Sequence, residues 1–322
     1  MPNFLRELVV TTTQFFTLLR KAASAWNDDD ASSMGAALSY YTLFSIAPLL
    51  VIVIAVGGLI FGRDATQGQI LIQLRGLIGD AGARAAQDLL QSANSPAKSA
   101  MAAIVGSITL LLGASSVFTE LYGDLNKIWR IPSAPKTSGI VQLIRTRILS
   151  FGMIIGVGFL LVVSLVISAA LAAAGAWWGA RVTDWPSVVQ AINAIVSLAI
   201  ITLAFAMIYK VLPRADIAWR DVWIGALVTA LLFEIGKLLI GIYLGTTRIA
   251  SAFGATGSLV VFLVWVYYSA QIFLLGAEFT WVYAYRQGSR ASEEPPAPAP
   301  RRAGRPIKRV ARHTRTRVAP RA

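Results

Sequence analysis

Six long apolar stretches, separated by short polar loops, constrain the fold of this 322-residue chain more than any other feature. A helix needs about 20 mainly apolar residues to cross the ~30 Å hydrocarbon core of a bilayer, and each stretch is that long. Charged residues make up only 14% of the chain, against about 25% in soluble domains. The pattern predicts an all-α polytopic membrane protein, a bundle of six transmembrane helices with amphipathic interfacial helices. The stretches cover residues 34–61, 100–119, 149–172, 188–209, 222–244 and 258–284.

Two further segments have amphipathic patterns. Residues 4–26 repeat apolar side chains at three- and four-residue steps with charged residues between them, which predicts a helix. That helix lies either in the headgroup plane of the membrane or against the cytoplasmic ends of the bundle. Residues 65–93 carry a similar stripe but are too polar to span, so we expect helices on the outer face.

Lysine and arginine alternate sharply between the two sides of the predicted bundle. The side that holds both termini carries 22 of these residues and the other side carries six. Because positive loops stay in the cytoplasm, both termini are predicted to be cytoplasmic. Three regions follow: a cytoplasmic amphipathic segment at 1–33, a six-span domain at 34–285 and a basic cytoplasmic tail at 286–322.

The tail differs in composition from the rest of the chain. Nine basic residues lie between Arg301 and Arg321, after a run rich in proline and alanine. Low hydrophobicity with this much charge predicts disorder. Attraction to anionic lipid headgroups is the favoured role, since each basic residue there contributes about 1 kcal/mol. A solvated positive-inside anchor is the alternative, and nucleic-acid binding is disfavoured because no aromatic residue interrupts the run to stack on bases.

Two charged residues interrupt the fifth apolar stretch. Glu234 and Lys237 lie near its middle and three positions apart, so their side chains share a helix face and can pair. A charge at this depth costs roughly 2.5–3.5 kcal/mol, and pairing seldom makes it better than apolar packing. The two residues are therefore candidates for an intramembrane functional site, with a structural pair that locks two helices as the alternative.

Uncharged polar residues extend this candidate site. They lie in the first and the sixth stretches, and they either line a cavity or form hydrogen bonds between helices. These residues are Ser39, Tyr40, Thr42 and Gln271.

Glu278 lies near the cytoplasmic end of the sixth stretch. We expect it to pair at the membrane interface with a basic residue of an inner loop, Arg214 or Arg147. The simplest interpretation of such a pair is an interfacial anchor.

Residue types that carry catalysis are scarce. The only histidine, His313, lies in the tail, and the chain has no cysteine. No phosphate-binding loop, nucleophile elbow or metal-ligand cluster occurs. The sequence therefore predicts no catalytic residue, no metal site, no cofactor and no enzymatic activity. The run Asp28-Asp29-Asp30 is interpreted as a helix cap, with a divalent cation site as the disfavoured alternative.

Four strings that agree in order and position point to a known family. The chain resembles the YihY/BrkB family of bacterial inner-membrane proteins, once labelled ribonuclease BN, over about residues 20–285. The resemblance implies six spans in the bacterial cytoplasmic membrane and leaves the molecular activity open. The strings are Asp29 with Ala36-Ala37-Leu38-Ser39-Tyr40-Tyr41 and Pro48, Leu125-Asn126-Lys127-Ile128-Trp129-Arg130, Ala230-Leu231-Leu232-Phe233-Glu234-Ile235-Gly236-Lys237, and Trp265-Val266-Tyr267-Tyr268 with Leu275-Gly276-Ala277-Glu278.

Three functional hypotheses follow from these features. The first is envelope-related transport of a lipid-like or small amphipathic solute of unknown identity. The second is a non-transporting scaffold that recruits partners through its inner loops and tail. A ribonuclease is the least favoured, because RNA hydrolysis needs a metal cluster or a histidine-based acid and base. The sequence sets no oligomeric state.

Overall fold

The computed structural model describes residues 3–45, 62, parts of 67–88, 116–131, 185–246 and 257–296. Regular structure in these ranges is entirely helical. The predicted stretch at 149–172 lies outside the described residues, and those at 34–61 and 100–119 lie only partly inside them. The helices are α1 (Asn3–Asp28), α2 (31–45), α3 (116–128), α4 (Trp185–Val211), α5 (Trp219–Thr246) and α6 (Gly257–Arg286).

Three of these helices are long and apolar enough to cross a membrane. They match the fourth, fifth and sixth predicted stretches: Val188–Val211, Trp219–Leu244 and Gly257–Arg286, with mean hydropathies of 2.4, 1.9 and 2.0. On α5, large apolar side chains such as Leu238 and Ile242 are about two-thirds exposed in the isolated chain. An apolar surface of this kind needs a bilayer or another protein to cover it.

Helices α5 and α6 run antiparallel in close contact. A Cβ atom on Gly225 would clash with Thr280, and one on Gly276 would lie 2.7 Å from the hydroxyl of Tyr209 and against Thr229. Glycine is therefore needed at both crossings for the backbones to approach this closely. The hydroxyl of Tyr209, on α4, donates a hydrogen bond of 2.7 Å to the Phe273 carbonyl. This bond ties α4 to the α5–α6 pair.

The predicted N-terminal amphipathic helix is present as α1. It buries Leu18, Ala22 and Ala25 and packs against α6, where the Phe15 and Phe279 rings lie 5.8 Å apart. The structure therefore shows α1 against the end of the bundle, and its position relative to the headgroup plane stays a prediction.

The chain turns between α1 and α2 at Asp29 and Asp30. Asp30 has a φ of 59°, a left-handed conformation that aspartate tolerates better than most residues. Its carbonyl accepts the backbone N–H groups of Ser33 and Met34, so the backbone of Asp30 opens α2. The predicted cap is thus seen at one of the three aspartates.

Two hydrophobic cores lie at opposite ends of the bundle. The end where α5 begins at Trp219 and α6 ends at Arg286, here called the base, is filled by side chains of all six helices, α1 to α6. At the other end, Ala85 and Ala86 pack with residues such as Leu244 and Val261. The predicted 65–93 segment is helical at its described residues and covers the end opposite the base.

Candidate functional site

The pair predicted in the fifth stretch forms as the spacing requires. Lys237 Nζ lies 2.8 Å from Glu234 Oε2, with 17% of the lysine and 31% of the glutamate side chain exposed. Glu234 Oε1 is buried and has no hydrogen-bond partner in the part of the chain that the structure describes. The result is a half-buried ion pair between two residues of α5.

Gln271 lies level with this pair but packs in another direction. The contacts Gly225–Thr280 and Gly276–Thr229 fix the antiparallel register, which puts Glu234 opposite residue 271. The Gln271 amide nitrogen instead packs on Gly35 of α2 and lies 3.5 Å from the Ser32 carbonyl. Gln271 therefore joins α6 to α2.

The polar residues of α2 do not join the pair either. The Ser39 hydroxyl is buried and donates to the Ala36 carbonyl at 2.8 Å within its own helix. Tyr40 is 57% exposed, and its ring lies 4.9 Å from that of Phe44. Thr42 is half-buried. Hydroxyls that bond to their own helix backbone no longer need a cavity or a partner helix.

A denser group of charges lies at the base of the bundle. We call it the base cluster: Asp29, Lys127, Arg130 and Glu278. Glu278 is fully buried and Asp29 is 3% exposed. The Asp29 carboxyl lies close to the Glu278 carboxyl, and Arg130 and Lys127 are near enough to act on Glu278 electrostatically. Lys127 also donates to the Asp29 carbonyl. The cluster balances two acidic groups with two basic ones.

Arg130 connects this cluster to the C-terminal segment. Its guanidinium lies 4.1 Å from the centroid of the Trp281 ring and donates a 2.7 Å hydrogen bond to the Pro296 carbonyl. Within the described ranges, both Glu278 oxygens, Asp29 Oδ2 and Arg130 Nε are buried without a hydrogen-bond partner. Burying charged groups with incomplete hydrogen bonding lowers the stability of a fold. Stability alone therefore does not explain why the chain keeps the base cluster.

Arg214, one of the two basic residues predicted to pair with Glu278, has other contacts. The Arg214 guanidinium is 5.5 Å from the Tyr122 ring, and its backbone N–H donates to Asn126 Oδ1 at 2.9 Å. Arg147 is outside the described residues. Arg130 and Lys127, which lie near Glu278 instead, belong to the predicted loop between the second and third apolar stretches. One signal could have found them, because all four members of the base cluster lie in the strings that carry the family resemblance.

Asp124 is a further buried acid, on α3 and outside the three candidate spans. It is 5% exposed. Burial raises the pKa of Asp124 to about 7, and the charge of Glu120 adds to this while Lys127 opposes it. Sequence reasoning missed this residue, since nothing in its local pattern marks it as buried.

The first residues after α6 fold back on the base. Ser289 donates from its backbone and its hydroxyl to Asp221 Oδ2, at 3.0 and 2.6 Å. Arg290 donates to the Asp216 carbonyl at 2.8 Å. The segment 287–296 is therefore held by specific contacts, where the sequence predicted disorder from 286 onward. The basic run Arg301–Arg321 lies outside the described residues.

No metal centre is apparent at the base. Among the residues that the structure describes, no three histidine or acidic side chains are placed to hold a metal ion together. Asp29 and Glu278 form a pair of acids, and the nearby Lys127 and Arg130 already balance their charge. The base cluster is therefore suited to joining the chain segments that carry its four residues. Its contacts would change if one of these residues gained or lost a proton.

Apolar spanning helices, exposed apolar flanks and ionic groups concentrated at one end define a helical integral membrane protein. The family model described as "Virulence factor BrkB" matches residues 22–301. The chain therefore belongs to the YihY/BrkB family, as its sequence strings indicate.

Relatives of this chain carry names that describe only membrane proteins. A UPF0761 membrane protein of Verminephrobacter eiseniae is 28% identical over 76% of this chain and 57% of its own length. A UPF0761 membrane protein of Psychrobacter sp. is 26% identical over 76% of this chain and 44% of its own length. A UPF0761 membrane protein of Enterobacter sp. is 31% identical over 63% of this chain and 67% of its own length. The chain spans about half the length of the first two of these relatives. No solved structure matches it.

Proposed function

We propose that this protein spans the bacterial cytoplasmic membrane six times, with both termini in the cytoplasm, and moves a lipid-like or small amphipathic solute. No enzymatic activity forms part of this proposal. The observation that carries it is the half-buried Glu234–Lys237 ion pair in the middle of apolar α5. Apolar residues would pack better than a charge pair at this depth. A function such as transport therefore explains why the chain keeps the pair.

The partial exposure of the pair supports a functional role. Neither side chain is fully buried, since 17% of the Lys237 and 31% of the Glu234 side chain is exposed. One carboxylate oxygen of Glu234 is buried without a hydrogen-bond partner among the described residues. A hydrogen-bond donor on a solute that reaches Glu234 would satisfy this oxygen.

Ionic groups also occur at a second depth along the same helix pair. The register of α5 and α6 places Glu278 level with Leu227, seven residues from Glu234. At 1.5 Å per residue this is about 10 Å along the axis. Charged groups at both depths support a polar path that leads from the base towards the middle of the bundle.

A reconstitution assay tests the proposal. The purified full chain is placed in proteoliposomes that carry a fluorescent phosphatidylglycerol in one leaflet, and transfer between leaflets is followed by chemical quenching. We expect Glu234→Gln with Lys237→Met to abolish transfer while the protein remains folded. The control is Glu293→Gln, which removes a glutamate from an i,i+3 pair of the same kind at the base, where Arg290 and Glu293 lie 4.0 Å apart. Full activity of the double variant would retire the proposal.

A scaffold is the second candidate function. It is favoured by one observation, the anchoring of residues 287–296 to the base, which fixes the point where the basic tail begins. A scaffold predicts that deletion of residues 297–322 removes the cellular phenotype while the Glu234 and Lys237 substitutions leave it unchanged. The transport proposal predicts the reverse ranking.

A further inference from the structure

An open groove with a positive lining lies between α1 and the end of α6. Its volume is about 290 Å³, at the lower end of the range for small-molecule sites. None of the described residues that line it is acidic. They are Thr13, Gln14, Thr17, Leu18, Lys21, Arg286 and Gln287.

The chemistry of the lining fits a phosphate group. Lys21 and Arg286 supply positive charge, and guanidinium and ammonium groups are the usual partners of phosphate oxygens. The amides of Gln14 and Gln287 add neutral groups that donate hydrogen bonds. The volume suits a headgroup and is too small for a whole lipid.

The position of the groove identifies the kind of phosphate. Arg286 is the last residue of a candidate membrane span, so it lies where a bilayer's headgroups begin. The neighbouring outer face of α1 exposes 68% of the Phe16 side chain, an aromatic group that suits the membrane boundary. A ligand at this level has its phosphate beside the groove and its acyl chains in the bilayer.

We infer that the groove between α1 and α6 binds the phosphate of an anionic phospholipid headgroup, held by Lys21 and Arg286. This site is separate from the Glu234–Lys237 pair and does not require the proposed transport. Its occupant would fix α1 against the bundle at the membrane surface. The site also differs from the tail, because it needs specific residues where the tail needs only charge.

Binding to the full-length protein in a neutral detergent tests the inference. Dioleoyl phosphatidylglycerol is titrated in, and bound lipid is counted by native mass spectrometry. Each basic residue near a headgroup contributes roughly fivefold to affinity, so Lys21→Gln with Arg286→Gln should weaken binding about 25-fold. The matched control is Arg20→Gln, which removes one charge from the adjacent, exposed residue of α1 and should leave binding unchanged. Lys21→Gln alone removes the same charge from the groove and should weaken binding about fivefold.

A second variant addresses the folding risk. Thr17 is exposed and lines the groove, so Thr17→Phe fills the groove without disturbing the core. It should also weaken phosphatidylglycerol binding, with the melting temperature of the lipid-free protein unchanged. Unaltered binding by both groove variants would overturn the inference.

Two other outcomes would also overturn it. If Arg20→Gln weakens binding as much as the groove variants do, the lipid senses only overall charge. If soluble glycerol 3-phosphate competes at the same concentration as the lipid, the site takes a free phosphate ester and membrane placement is irrelevant.

Discussion

The middle of α5 and the base of the bundle hold charge in two different ways. At mid-helix, Glu234 and Lys237 pair through a three-residue spacing and keep partial exposure. At the base, Asp29 and Glu278 come from separate segments and are buried together, with Lys127 and Arg130 of a third segment nearby. A local pair exists wherever its helix forms, whereas the base cluster exists only once the fold has closed. Loss of the cluster should therefore damage stability, and loss of the pair should damage function.

Removal of a basic member of the base cluster should have the largest effect. Arg130→Met leaves two buried carboxyl groups with one basic neighbour and removes the contacts to Trp281 and Pro296. Loss of a hydrogen bond from a charged group costs about 1.5–3 kcal/mol, and loss of a cation–π contact costs about 0.5–2 kcal/mol more. We expect a correspondingly large fall in the apparent melting temperature in detergent.

A second substitution shows whether charge balance is the cause. Glu278→Gln in the Arg130→Met background removes one acid and should restore part of the lost melting temperature. Arg20→Gln, on the exposed face of α1, serves as the control for charge alone. If the double variant is less stable than Arg130→Met itself, the packing of Arg130 on Trp281 matters more than its charge.

Acid-dependent stability should be the second largest effect. The pKa of Asp124 is raised to about 7 in the folded protein, from an ordinary value of 3.8. Between these values the native state holds a proton that the unfolded chain has released, so stability falls as the pH rises through this window. The contribution is at most on the order of 4 kcal/mol.

Melting curves at pH 5 and pH 8 measure this effect. Asp124→Asn should remove much of the loss between the two values, because asparagine does not titrate. Glu293→Gln changes an acid whose side chain is 58% exposed and should behave as the unsubstituted protein does. An unchanged pH dependence in Asp124→Asn would show that another group controls it.

Close helix packing supplies a smaller effect. Gly276→Ala places a Cβ atom against Thr229 and 2.7 Å from the Tyr209 hydroxyl, and overpacking of this kind costs typically 1–3 kcal/mol. Gly241→Ala is the matched change on α5, where a Cβ atom meets nothing within 4 Å. There the better helix propensity of alanine should stabilise by up to about 1 kcal/mol. Equal effects on the two melting temperatures would contradict the observed α5–α6 contact.

Local patterns predicted the helices well. The amphipathic stretch at 4–26 corresponds to α1, Asn3–Asp28, and the stretch at 258–284 corresponds to α6, Gly257–Arg286. Hydrophobic periodicity and length decide such elements without knowledge of the tertiary fold. The 2.8 Å pair of Glu234 and Lys237 was predictable for the same reason, because both residues lie on one helix.

The base cluster could not be assembled from spacing. Lys127 and Asp29 lie 98 positions apart in the chain, and a count of loop charges gives only the side of the membrane. The count therefore does not distinguish Arg130 from Arg214 and Arg147 as the basic neighbour of Glu278. Which basic residue reaches Glu278 depends on how α3 docks against α6, and that docking is set by buried contacts such as those of Ile128 and Leu274.

The smallest effect on stability should come from the mid-helix pair, and this completes the comparison. An i,i+3 pair contributes only about 0.2–0.5 kcal/mol to a helix, while a charge deep in a membrane costs roughly 2.5–3.5 kcal/mol. Glu234→Gln with Lys237→Met should therefore leave the melting temperature unchanged or raise it, although transfer of labelled lipid is lost. A fall as large as that of Arg130→Met would mean that the pair holds the bundle together, and the contrast between the two regions would disappear.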